Sequence, residues 1–141
     1  MNNQFEQISL KAGFMKHNGG VLFKTISKNE SEFKTIINEN HLNAAGITHG
    51  GFIAALVDAG AGTAAHRSAD QNPCVTISLE LKFISAVKLG QEIIGKTLIQ
   101  KKTKTMVFLT CELTAENKIV ATASGVWKIL NKNFPGAGPG G

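Results

Sequence analysis

The alternation of apolar and polar positions is cleanest at residues 75–83, where Val75, Ile77, Leu79, Leu81 and Phe83 are separated by Thr76, Ser78, Glu80 and Lys82. A period of two predicts a strand with one buried face, because successive side chains point to opposite sides. Further strand patterns follow at 92–102, 105–115 and 118–130, the last placing Ile119, Ala121, Ala123, Gly125, Trp127 and Ile129 on one face. The turns between them ("KLGQ", "KTK" and "EN") are short, which favours antiparallel neighbours. Upstream, 21–27 and 31–38 read as two strands joined by "KNE". Residues 4–15 carry a weak helical pattern through Phe5, Ile8, Leu10, Phe14 and Met15, closed by "HNGG". Only 49–67 supports a long helix, and "NP" at 72–73 then punctuates the chain, since proline disfavours helix just before it. Two strands, a long helix and four strands predict an α+β domain, one antiparallel sheet with a single major helix packed against it.

From Gly50 to Ala65 that helix is built mostly of small residues, among them Ala54, Ala55, Ala59, Gly60, Ala61, Gly62, Ala64 and Ala65. Glycine costs about 1 kcal/mol per helical position relative to alanine. Its repeated use implies that something presses close, so the helix is expected to lie inside the concave face of the sheet. Asp58 interrupts this run, and the positions one turn away are Ala54, Ala55, Ala61 and Gly62, which supply no cation. A buried carboxylate without a partner is expensive. Asp58 therefore either reaches a rim or a tertiary hydrogen bond, or is kept for chemistry.

His49-Gly50-Gly51 stands where the helix begins. A helix N-terminus carries unsatisfied N–H donors and a partial positive charge, and such donors can hold the oxyanion that forms when a carbonyl is attacked. His49 can orient or cap that turn, although a tight loop explains the tripeptide equally well. Gly51 and Asp58 are seven residues apart, so they share a face but lie about 10 Å apart along the axis. They cannot both touch one carbonyl carbon from the same chain. If they cooperate, Asp58 comes from a second protomer whose helix runs antiparallel, as a two-fold dimer provides.

Composition narrows the class further. The chain has 141 residues, most simply one domain over 1–132 with a Gly/Pro-rich tail at 133–141 that is expected to be flexible. With 43% hydrophobic and 18% charged residues it can bury a core. No uncharged apolar run reaches membrane length, and the first residues lack a basic start followed by an apolar block, so neither a membrane span nor a secretory signal is expected. Cys74 and Cys111 form no CxxC, and no histidine pair has metal spacing; reduced thiols in a cytoplasmic protein without a metal are expected. The net charge of +5 is spread along the chain, with Lys101, Lys102 and Lys104 the densest cluster. Few aromatics are left for a stacking platform, which argues against nucleic acid, while the mild positive field suits a small polyanionic ligand.

The stretches "HLNAAGITHGGFIAALVDAGAG", "PCVTISLELKFISAVKLGQ" and "GKTLIQKKTKTMVFLTCEL" resemble the hotdog-fold acyl-CoA thioesterases of the phenylacetate-degradation type, over about residues 20–130. The combination of Asn43, His49-Gly50-Gly51 and Asp58 carries the resemblance. It implies an antiparallel sheet wrapped around one long helix and homodimers pairing into homotetramers. The implied substrate is an acyl- or aryl-CoA thioester, and coenzyme A enters only as part of it, with no separate cofactor. By position, the resemblance gives the Gly51 N–H the task of polarising the carbonyl, and Asp58 of the partner protomer the task of general base or nucleophile. Asn43 then positions the carbonyl or water, His49 supports the turn, and Thr76 sits near the reacting group. Gly50, Phe52, Leu56 and Phe83 are placed near the substrate. Arg67, Lys88, Lys101, Lys102 and Lys104 are candidates for the CoA phosphates. Two other activities stay open: a hydratase or dehydratase of acyl thioesters on the same fold, and a non-catalytic acyl-CoA binder.

Overall fold

A computed structural model describes residues 4–133. The expected flexible tail falls, apart from Asn133, outside the described residues. The elements are β1 (Glu6–Gln7), α1 (Phe14–His17), β2 (Leu22–Thr25), β3 (Glu30–Ile36), a 3-10 turn (Glu39–His41), α2 (Gly50–Ser68), β4 (Cys74–Phe83), β5 (Glu92–Lys102), β6 (Met106–Ala115) and β7 (Lys118–Ile129). They form one seven-stranded sheet in the order β1-β2-β3-β5-β6-β7-β4, every pair antiparallel. The weak helical pattern predicted over residues 4–15 is corrected to a two-residue edge strand and one helical turn. Five apolar residues spread over that stretch are too few to hold a helix against packing.

The sheet curls around α2, whose residues from Ala59 to Ala65 are all buried. Its closest approach is at Phe33, fully buried on β3. A β-carbon at Gly60 would stand 2.3 Å from the Phe33 ring, and one at Gly95 on β5 would stand 2.2 Å from its far end. The ring is thus held between two bare backbones, which is the contact that the run of small residues foretold. Trp127 and Leu56 complete the core, neither more than 1% exposed.

β4 closes the sheet at one edge, paired only with β7. Its register shifts between Thr76 and Ser78, so that Thr76 pairs with Trp127 while Leu79, Leu81 and Phe83 pair with Gly125, Ala123 and Ala121. Paired residues share a face, so the extra residue Ile77 reverses the alternation and turns Thr76 toward the helix. The single apolar face predicted for 75–83 is therefore split. Nor is it buried: Ile77 is 51% exposed and Phe83 58%. A second irregularity, between Leu113 and Thr114, pairs Ile119 with Thr114 and takes Ile119 off the buried face expected for it.

Candidate active site

The start of α2 is fixed by its own cap. His49 is the N-cap in extended conformation, and its Nδ1 accepts the Gly51 N–H at 2.7 Å. The expected carbonyl-polarising donor is thus already engaged. Gly50, at the first helical position, makes no hydrogen bond through its N–H among the described residues. It is the open donor of the first turn, and the Phe83 ring lies against it, 3.5 Å from where a β-carbon would stand.

Asn43 builds the loop that leads in. Its side-chain oxygen accepts the N–H groups of Ala45 at 2.9 Å and Ile47 at 3.3 Å, while its own N–H donates to the Ile47 carbonyl at 2.7 Å. That loop is how the chain turns from the 3-10 segment into α2, and it leaves the Asn43 NH₂ group as the only part of the side chain without a hydrogen bond among the described residues.

Asp58 lies almost two turns along α2, half-buried, on the stripe shared by Gly51, Ala54 and Ala55 that the sheet does not cover. It accepts a hydrogen bond from Thr76 Oγ1 at 2.6 Å. This is the tertiary partner that the helix alone could not supply, and the β4 bulge delivers it. One carboxylate oxygen is held, and the other accepts no hydrogen bond among the described residues. The total seclusion expected for Asp58 is not found within one chain, because the edge strand beside it is open.

The candidate residues fall into two groups. Asn43, His49, Gly50, Gly51 and Phe83 gather at the helix start, and Asp58 with Thr76 forms a pair about 10 Å along the axis, as the helical rise requires. Phe52 and Leu56, placed near the substrate by position, are core residues instead, 5% and 0% exposed. They point from α2 into the sheet, and the Phe52 ring stacks on His41 with centroids 3.7 Å apart. His41 itself was not singled out from the sequence, where a histidine in a polar turn carries no distinguishing signal.

A cleft of about 760 Å³ lies at the other end of α2, between the β2–β3 turn and the end of β5. Lys28, Arg67, Lys101 and Lys102 line it, but none of the residues in those two groups does. Arg67 is committed to Glu6 at 2.5 Å, and Lys102 to the Ser68 carbonyl at 3.1 Å. Cys74 and Cys111 are buried and unpaired. Burial pushes the Cys74 thiol up to about 11, and burial with the neighbouring Glu112 charge pushes Cys111 up to about 12. Neither is a nucleophile at neutral pH. Among the described residues no group of histidine, cysteine and carboxylate side chains could hold a metal ion, and no helix is long and apolar enough to cross a membrane.

An antiparallel sheet curled around one long helix is the hotdog fold. Residues 45–122 match the family model of the thioesterase superfamily, and the chain belongs to that family. It is 34% identical over 94 residues to a Pseudomonas aeruginosa protein named provisionally as an esterase, covering 66% of this chain and 70% of that one. It is also 33% identical over 87 residues to human acyl-coenzyme A thioesterase 13, covering 60% of this chain and 62% of the human protein. This chain thus spans less than two thirds of the human relative's length. Zebrafish thioesterase superfamily member 2 superposes with a TM-score of 0.78 at 24% identity, over 86% of this chain and 90% of that one.

Proposed function

We propose that this protein is an acyl-CoA thioesterase whose site is shared between two copies of the chain, one giving the start of α2 and the other Asp58. The observation that carries the reading is the Thr76–Asp58 hydrogen bond: a half-buried carboxylate with no cation beside it, oriented by a hydroxyl and facing an open edge.

The same edge supports a partner there. β4 has an unpaired backbone ladder and exposed apolar side chains, which monomeric proteins avoid. Pairing it with β4 of a second copy extends the sheet across a two-fold axis. It also brings two helices together along the stripe of Gly51, Ala54, Ala55 and Asp58, whose small residues permit close approach. Each Asp58 then meets the partner's helix start. On the outer face of the sheet Ile36, Leu98 and Phe108 are exposed, which favours a further pairing of dimers into the homotetramer. Unpaired thiols suit a reducing, cytoplasmic setting.

In the reaction, the thioester carbonyl points its oxygen at the Gly50 N–H. Asp58 takes a proton from water as the water oxygen attacks the carbonyl carbon, and the Gly50 donor and the helix dipole hold the resulting oxyanion. Collapse breaks the C–S bond, and the proton on Asp58 passes to the departing CoA sulfur. The alternative, direct attack by Asp58, forms an anhydride that water then opens. Either route needs no cofactor. His49 holds the first turn through its cap, Thr76 aims the carboxylate, Asn43 shapes the loop, and Phe83 and Gly50 flank the place of the acyl group.

Free CoA release from phenylacetyl-, short-chain and long-chain acyl-CoAs tests the reading, with Asp58→Asn beside the unaltered protein. Turnover that falls on the order of 10²-fold or more in the variant is the expected result. Turnover indifferent to Asp58, or hydration of crotonyl-CoA in place of hydrolysis, would overturn it.

A further inference from the structure

His41 is buried to 1% exposure, yet it takes no part in the reaction just described. Its ring joins three segments. Nδ1 accepts the Asn38 N–H at 3.0 Å, so Nε2 carries the proton and donates to the Asn18 carbonyl at the end of α1, at 2.5 Å. The ring face stacks on Phe52 in the first turn of α2, 11° from parallel. The His41 carbonyl accepts the His49 N–H at 2.7 Å.

These contacts bracket the donor pair. His49 precedes Gly50 and is tied to the His41 backbone; Phe52 follows Gly51 and is tied to the His41 ring. The geometry points to His41 as a positioning residue that sets the direction of the Gly50 N–H, acting through both neighbours without touching substrate. The role rests on the thioesterase reading, in which that N–H holds the oxyanion. Glycine backbone at 50 and 51 has no side chain to anchor it, so its orientation has to come from the residues on either side. A donor helps only when it is aimed beforehand at the developing charge, and a misplacement of about 1 Å can cost on the order of 10² in rate.

Two substitutions separate aim from packing. His41→Asn keeps an acceptor near Nδ1 for the Asn38 N–H but loses the stack and the bond to Asn18. Phe52→Leu leaves both polar bonds and removes only the stack. Steady-state kinetics with the best acyl-CoA, at a temperature where each variant is fully folded by circular dichroism, is combined with hydrogen exchange at the His49 amide. The expected result is a kcat lowered about tenfold or more with KM within about twofold, and faster exchange at His49. Wild-type kcat in a folded variant would overturn the role, even if its melting temperature drops, because packing alone would then account for His41. Unchanged His49 exchange would overturn it as well, and that readout holds even if the unaltered protein proves to turn over no thioester. Should His41→Asn not fold, Phe52→Leu decides by the same two readouts.

Discussion

In the proposed mechanism Asp58 supplies the base and Thr76 aims it. Replacing Thr76 by Val removes the hydroxyl that aims the carboxylate while keeping the shape and β preference of the site. A hydrogen bond to a charged group is worth about 1.5 kcal/mol or more, so Thr76→Val should lower kcat roughly tenfold with little change in KM. Steady-state kinetics beside Asp58→Asn checks this, and the asparagine variant should be the worse of the two. The cysteines predict the opposite behaviour. With both thiols held protonated to about 11 and 12, native protein should react with an aromatic disulfide reagent at pH 8 only as fast as it unfolds. An unfolded thiol ionises near 9, so the native state binds more protons above that pH. The stability these thiols contribute is full below 9 and is lost as pH rises through 11–12. The urea midpoint should fall over that interval, and a Cys111→Ala variant should fall less.

At the scale of elements, the junction of α2 with β3 and β5 makes a sharp prediction. Gly60→Ala adds helix propensity of about 1 kcal/mol but drives a methyl into Phe33. That ring is fully buried and has Gly95 behind it, so it has nowhere to go. Overpacking of about 1–3 kcal/mol wins, and the denaturant midpoint should drop. This contact is also where the sequence was most legible. The glycines and alanines of 50–65 announced a tightly held helix, and the alternations after residue 74 announced the antiparallel strands. What alternation hid was its interruption at Ile77. A β-bulge is one extra residue with no composition of its own, and an unbroken period of two puts Thr76 on the wrong face. The alternation could not show the Thr76–Asp58 bond for that reason; only the resemblance put Thr76 near the reacting group. Which of the Gly50 and Gly51 N–H groups stays free of an internal bond was equally hidden, because it depends on which one the His49 ring takes, a matter of side-chain rotation.

For the whole molecule the decisive feature is the open edge of β4. Ile77 and Phe83 are exposed on it, and the proposed dimer would cover them. Ile77→Lys places a charge on that edge without touching the core. Sedimentation should find it shifted toward monomer, and its activity should fall in step with the loss of dimer. A monomer that keeps full activity would remove the need for a shared site.

The most direct measurement mixes two disabled proteins. Asp58→Asn lacks the base. Gly50→Pro removes the open N–H and adds a ring beside Phe83, while proline suits the first helical position and His49 before it is already extended at φ −65° and ψ 132°. Each alone should release little CoA. After subunits are exchanged at equal amounts, half of the dimers are mixed and each has one intact site, so CoA release should recover to about a quarter of the unaltered protein's rate. No recovery, in a mixture shown by mass to contain mixed dimers, would contradict a site built from the helix start of one chain and Asp58 of the other.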